Sequence, residues 1–117
     1  MHPVTIYHNP NCSKSRKVLE LIRDAGIEPT VIEYLNTPLT HAALQAMVTA
    51  LNVPLRTILR ESDDAYSVLN LGDPKWRDDE LLDFMIRYPS IINRPIVMTP
   101  LGARLCRPET VLHEILP

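Results

Sequence analysis

The sequence has too few cysteines for a disulfide framework or a cysteine-based metal cluster, since its 117 residues contain only two. These are Cys12 and Cys106, near opposite ends of the chain. A chain that does not depend on disulfides fits a reducing compartment. We therefore expect two free thiols, no metal site and a cytoplasmic protein.

Long apolar runs and a basic excess are also missing. No run approaches the roughly 20 residues of a membrane-spanning helix, and the first residues lack the apolar region of a signal peptide. The formal net charge is −2, without the basic surplus typical of nucleic-acid-binding proteins. We expect neither a membrane nor a nucleic acid as partner. The length suits one domain, residues 1–117.

Strand-like and helix-like segments alternate at the N-terminal end. Residues 4–7 are β-branched or aromatic and predict a strand, and residues 30–34 predict a second. Between them, apolar residues recur at helical spacing from Ser13 until Gly26, which can end a helix. Parallel pairing of the two strands gives a right-handed βαβ unit, with the loop before the helix at the carboxyl end of the first strand.

The middle third predicts only helices, with Thr40 and Asp78 as candidate N-caps. Residues 96–98 and 103–105 then predict a β-hairpin, and Pro108 opens a final helix. Two parallel strands and an antiparallel hairpin make a mixed four-stranded sheet flanked by helices, with a helical insertion in the middle third. This α/β arrangement is the thioredoxin architecture.

Cys12 lies at the junction between a polar, proline-containing loop and the first predicted helix. The unpaired N–H groups and positive dipole end of a helix start favour a thiolate and attract anions. Ser15 excludes a Cys-x-x-Cys motif, and Val18 stands where a Cys-x5-Arg phosphate loop requires arginine. We therefore predict that Cys12 is a nucleophile whose second thiol comes from another molecule.

Separate motifs along nearly the whole chain resemble the glutaredoxin-coupled arsenate reductase family. They are Tyr7-His8-Asn9-Pro10-Asn11-Cys12, Ser15-Arg16, Arg60, Asn93-Arg94-Pro95-Ile96-Val97, and Thr99-Pro100-Leu101-Gly102 through Leu105-Cys106-Arg107-Pro108. The resemblance implies a thioredoxin-like fold with a helical insertion, a cis peptide bond before Pro95, and an enzyme that reduces arsenate to arsenite.

The resemblance also implies roles for single residues. Cys12 is the expected nucleophile, with His8 and Ser15 as its catalytic neighbours, and the substrate-binding cations are Arg60, Arg94 and Arg107. The expected thiol–arsenate intermediate is resolved by glutathione, a co-substrate, and by the partner protein glutaredoxin. No bound cofactor is implied.

Other interpretations remain open at this point. Spx-type transcriptional regulators share the architecture and bind RNA polymerase, although they typically carry a Cys-x-x-Cys switch that Ser15 removes. Ser13-Lys14 replaces the glycine and threonine of well-studied arsenate reductases, which leaves room for a thiol oxidoreductase of the same family with another substrate. Cys106 is interpreted as a packing residue.

Overall fold

The computed structural model describes residues 3–117. Within it the chain divides into two compact units. One comprises the described part of Met1–Thr37 together with Arg94–Pro117, and the other is Pro38–Asn93. The helical insertion expected in the middle third thus corresponds to a compact unit of its own. The single domain over residues 1–117 stays a prediction.

The first unit contains a mixed four-stranded sheet. Its strands are β1 (Thr5–Tyr7), β2 (Thr30–Ile32), β3 (Ile96–Thr99) and β4 (Gly102–Leu105), in the order β2-β1-β3-β4. Inner strand β1 pairs in parallel with β2 and antiparallel with β3, and β3 and β4 form the hairpin. The predicted thioredoxin-like sheet is confirmed.

Helix α1 (Ser13–Asp24) follows β1 after a five-residue loop. Cys12 is its N-cap, with an extended backbone at φ −100° and ψ 121°. The buried side chains Ser15, Val18 and Ile22 share one face at helical spacing. The chain leaves the helix through Gly26, whose φ of +82° favours glycine.

Apolar side chains of α1, the sheet and the C-terminal segment form the core of this unit. Val18 and Ile22 belong to one buried cluster with Ile6 of β1 and Val97 of β3. Full burial of side chains of this size contributes about 1.5–3 kcal/mol each, which fixes α1 on the sheet. The last helix is a 3₁₀ helix, Glu109–Glu114, that starts one residue after the predicted Pro108 and adds Leu112 to the cluster.

The second unit consists of α2 (His41–Leu51), α3 (Asp64–Val68), α4 (Asp78–Arg87) and the 3₁₀ helices Leu55–Ile58 and Pro89–Ile91. It is not wholly helical as predicted, because Leu59 and Ile92 form an antiparallel bridge. Thr40 caps α2 by accepting the Ala43 N–H at 3.1 Å, as predicted. In the described residues, no helix is long and apolar enough to cross a membrane.

The predicted N-cap of α4 is wrong by one residue. Arg77, not Asp78, has the extended backbone of the cap, and the Glu80 carboxylate accepts the Arg77 N–H at 3.0 Å. Asp78 instead lies in the first turn, where its negative charge complements the helix dipole. The carboxylate three residues after the cap therefore does the capping.

Candidate active site

The loop that carries Cys12 is fixed by hydrogen bonds around Asn9. Its carbonyl accepts the Cys12 N–H at 3.0 Å, and its side-chain Oδ1 accepts the Asn11 N–H at 3.0 Å. Its own N–H donates to Ser15 Oγ, also at 3.0 Å. These hydrogen bonds join residues before and after the cysteine, so the chain enters α1 from a defined turn and the position of the thiol is fixed.

The thiol of Cys12 is activated by its surroundings. Partial burial acts to raise its pKa, but the backbone N–H groups of Ser15 and Lys14 and the guanidinium of Arg94 outweigh it, and the net pKa is lowered. Neither N–H makes a capping hydrogen bond of ordinary geometry; their effect is electrostatic, as expected at a helix start. The placement predicted from the sequence therefore yields a thiolate-stabilising site.

Arg94 lies beside this thiol, and Arg107 contacts Arg94. Arg94 contacts the sulfur through its guanidinium, and Arg107 Nη1 donates to the Arg94 carbonyl at 3.2 Å. The Arg94–Pro95 bond is cis, as the resemblance implies, and the Arg107–Pro108 bond is also cis. The Arg94 guanidinium next to the thiolate can bind oxygens of a tetrahedral oxyanion while the sulfur faces its central atom, and Arg107 is held against the Arg94 backbone.

His8 and Ser15 contact each other, a relation that sequence reasoning did not foresee. His8 Nδ1 and Ser15 Oγ lie 2.6 Å apart, with His8 5% exposed and Ser15 fully buried. Burial is the main reason why the pKa of His8 is lowered, although Glu33 acts in the opposite direction. The imidazole is therefore neutral near pH 7.

Arg60 lies in the second unit, between the 3₁₀ helix Leu55–Ile58 and α3. Its Nη1 pairs with Asp63 Oδ2 at 3.3 Å, and its N–H donates to the Ile91 carbonyl at 2.7 Å. Asp63 also caps α3 by accepting the Ala65 N–H at 2.9 Å. A contact between Arg60 and the substrate stays a prediction.

Cys106 is fully buried in the core of the first unit. Burial, with a smaller contribution from Glu114, raises its pKa to about 12. A thiol in this state is neutral and inaccessible, so the interpretation of Cys106 as a packing residue is confirmed.

Sequence reasoning missed the part that Arg16 plays in the loop. Its Nη1 donates to the Pro10 carbonyl at 2.9 Å, so the side chain folds back from α1 onto the loop. No spacing rule signals such a contact. Among residues 3–117, no group of three His, Cys, Asp or Glu side chains is placed to hold a metal ion.

This chain is similar to known proteins in sequence and to solved structures in fold. The ArsC family model matches residues 7–115. A Rhizobium meliloti protein named arsenate reductase is 54% identical over 97% of this chain and 81% of its own length. An Escherichia coli K12 protein of the same name is 50% identical over 100% of this chain and 83% of its own length. A solved structure titled arsenate reductase from Vibrio cholerae has a TM-score of 0.94 and 42% identity, over 97% of this chain and 98% of that one.

The matched region includes the Cys12 loop, Arg94 and Arg107. The sequence likeness and the structural likeness are both nearly full-length, so they concern the whole arrangement that positions the thiol. The chain belongs to the ArsC family.

Proposed function

We propose that this protein is an arsenate reductase in which Cys12 is the nucleophile. The observation that carries the proposal is the lowered pKa of Cys12 beside Arg94 at the start of α1. A thiolate with a guanidinium partner suits attack on an anion, because the cation offsets the repulsion between two negative charges. The relatives named arsenate reductase favour arsenate as that anion.

In the first step, the Cys12 thiolate attacks As(V) and a sulfur–arsenic bond forms. One arsenic–oxygen bond breaks, and its oxygen, once protonated, departs as water. Arg94 and Arg107 neutralise the charge that gathers on the remaining oxygens, and Arg60 is proposed as a third cation for them. Donors of this kind commonly account for about 10²–10³ in rate each.

In the second step, we propose that glutathione supplies the electrons. Its thiolate attacks the Cys12 sulfur, a disulfide bond forms, and the sulfur–arsenic bond breaks with its electron pair left on arsenic. Arsenite, As(III), is released, and Cys12 remains as a mixed disulfide with glutathione. Glutaredoxin then attacks the glutathione sulfur and returns Cys12 to the thiolate.

The need for an external thiol follows from the residues around Cys12. Position 15 is a serine that is hydrogen-bonded to His8, and Cys106 is fully buried with a raised pKa. Neither can attack a Cys12 adduct. A small thiol and a thiol-bearing protein partner complete the cycle instead.

The test is arsenite formation from arsenate with glutathione, glutaredoxin and a system that regenerates glutaredoxin. We expect turnover by the wild type and by Cys106→Ala, and none by Cys12→Ser. Equal rates for wild type and Cys12→Ser would remove the nucleophile assignment. Failure of the wild type on arsenate, with turnover of another thiol-reducible substrate, would point to the alternative substrate suggested by Ser13-Lys14.

A further inference from the structure

A groove of about 480 Å³ runs along one side of α1 and begins at the Cys12 loop. Its floor and walls include His8 and Pro10 from the loop and Leu19 from the helix. This volume lies in the range of small-molecule sites, about 300–1,000 Å³. The groove is separate from the Arg94–Arg107 pair, so the proposed arsenate site leaves it unused.

The hydrogen bonds of Ser15 determine which edge His8 presents to this groove. Ser15 Oγ accepts the Asn9 N–H, and its buried hydroxyl proton needs an acceptor. Its second bonded neighbour is His8 Nδ1, which therefore accepts this proton. In the neutral imidazole the other nitrogen then carries the hydrogen, so Nε2–H is a donor. Within the described part of the chain, His8 Nε2 has no hydrogen-bond partner.

The charged lining of the groove contains both signs. Arg16 and Arg23 act electrostatically on His8, which places both guanidinium groups near the imidazole. Arg16 uses Nη1 for the Pro10 carbonyl, and Arg23 uses Nε and Nη2 for Glu28. Other N–H donors of both arginines remain for a ligand. Glu20 and Asp24 supply the negative charge on the same side of the helix.

We propose that this groove binds the peptide thiol co-substrate, with one ligand carboxylate on His8 Nε2–H and Arg16, the other ligand carboxylate on Arg23, and the ligand ammonium on Glu20 and Asp24. The inference rests on the proposed function for the identity of the thiol. Dimensions fit: residues 16 to 24 extend about 12 Å along the helix axis, and an extended tripeptide spans about 10 Å. Cys12 precedes Arg16 by one helical turn, so the ligand lies next to the loop that forms the adduct.

The experiment uses Cys12→Ser protein and S-methylglutathione, so that no disulfide or arsenic adduct can form. We expect saturable NMR shifts of backbone amides around His8, Leu19 and Glu20. Arg23→Ala should weaken binding about tenfold or more, since it removes a charge-assisted hydrogen bond. Arg87→Ala, which removes an exposed arginine of α4 in the second unit, should leave the affinity unchanged.

A matched ligand provides a second control. The diethyl ester of S-methylglutathione keeps the ammonium but blocks both carboxylates. We expect the ester to bind the protein with intact Arg23 at least tenfold more weakly than the acid does. Long-range ¹H–¹⁵N spectra of His8 should show the proton on Nε2. The proposal is overturned if shifts do not saturate, if they map away from the groove, or if the ester binds as well as the acid.

The outcome for the groove is separable from that for the activity. Arsenate reduction by wild-type protein with no binding of S-methylglutathione in the groove would refute this site and leave the proposed function intact. Binding in the groove without arsenate turnover would support the site and refute the arsenate reductase proposal.

Discussion

Arg107 donates a hydrogen bond from Nη1 to the backbone carbonyl of Arg94 over 3.2 Å. In sequence, Arg94 lies two residues before β3 and Arg107 two residues after β4, and each directly precedes a proline. The bond brings the Arg107 side chain to the backbone of the arginine that contacts the Cys12 sulfur. The hairpin therefore brings two arginines that are 13 residues apart into contact, and one of them lies beside the thiol.

Arg94→Gln should raise the pKa of Cys12 and slow arsenate turnover by about 10²-fold, because a cation beside the thiolate and the developing charge is lost. Arg94→Lys should retain part of both effects, since the charge remains but the planar fork does not. The measurements are steady-state kinetics and thiol alkylation rates. Arg87→Gln, an exposed arginine of α4, serves as the control with unchanged rates. Normal turnover in Arg94→Gln would remove Arg94 from the mechanism.

The reactivity of Cys12 should depend on pH with a midpoint below that of the same thiol in the unfolded chain, because the fold lowers its pKa. Alkylation by iodoacetamide should rise with pH through this lowered pKa and then level off. The unfolded chain binds the Cys12 thiol proton more tightly than the folded protein does. Between the pKa of Cys12 in the folded protein and its higher pKa in the unfolded chain, the free energy of unfolding should therefore increase with pH. It should decrease as the pH falls through the folded pKa. A midpoint at or above that measured in denaturant would contradict thiolate stabilisation at the helix start.

Ser15→Ala should destabilise the protein by about 1–3 kcal/mol. The change leaves the half-buried Asn9 N–H and the buried His8 Nδ1 without the oxygen that both contact. Urea denaturation measures the difference. The matched control is Ser13→Ala, because Ser13 is exposed one residue after the N-cap, and its cost should be within about 0.5 kcal/mol. Equal stability of the two variants would mean that the His8–Ser15 contact contributes nothing.

Cys106 should be invisible to thiol reagents in the folded protein. Ellman's reagent should detect one thiol in native protein and two in denaturant, because Cys106 is fully buried with its pKa raised to about 12. Cys106→Ala should lower the free energy of unfolding by about 1 kcal/mol, the scale of a small core deletion. Its turnover with arsenate should stay normal. A large loss of turnover would instead assign this thiol a part in the reaction.

Local sequence signals were sufficient to predict the elements that position the site. The change in apolar spacing at Ser13 and the glycine at position 26 predicted α1, and Cys12 indeed caps it. A helix start has unpaired N–H groups whatever its side chains, so the effect on the thiol pKa followed from placement alone. The family resemblance, not the spacing, supplied the cis bond before Pro95.

Side-chain directions could not be predicted in the same way. Ser15 was expected as a catalytic neighbour of Cys12, which stays a prediction, but nothing in the sequence indicated that its Oγ contacts His8 and the Asn9 N–H, a choice set by how the loop closes over α1. The cap of α4 was placed at Asp78 because aspartate is a common N-cap. The backbone turns into the helix one residue earlier, and Glu80 supplies the oxygen. Such contacts depend on backbone angles that residue type does not determine.

The β1–β3 pairing also has a kinetic consequence. Ile6 lies opposite Val97, so the centre of the sheet joins the two ends of the chain, with all of Pro38–Asn93 in the intervening loop. The entropy lost on closing a loop grows with its length, by about 0.6 kcal/mol for each doubling. We expect compaction of Pro38–Asn93 to shorten this loop before the sheet closes. The Cys12 loop, at the end of β1, then takes its final form late in folding.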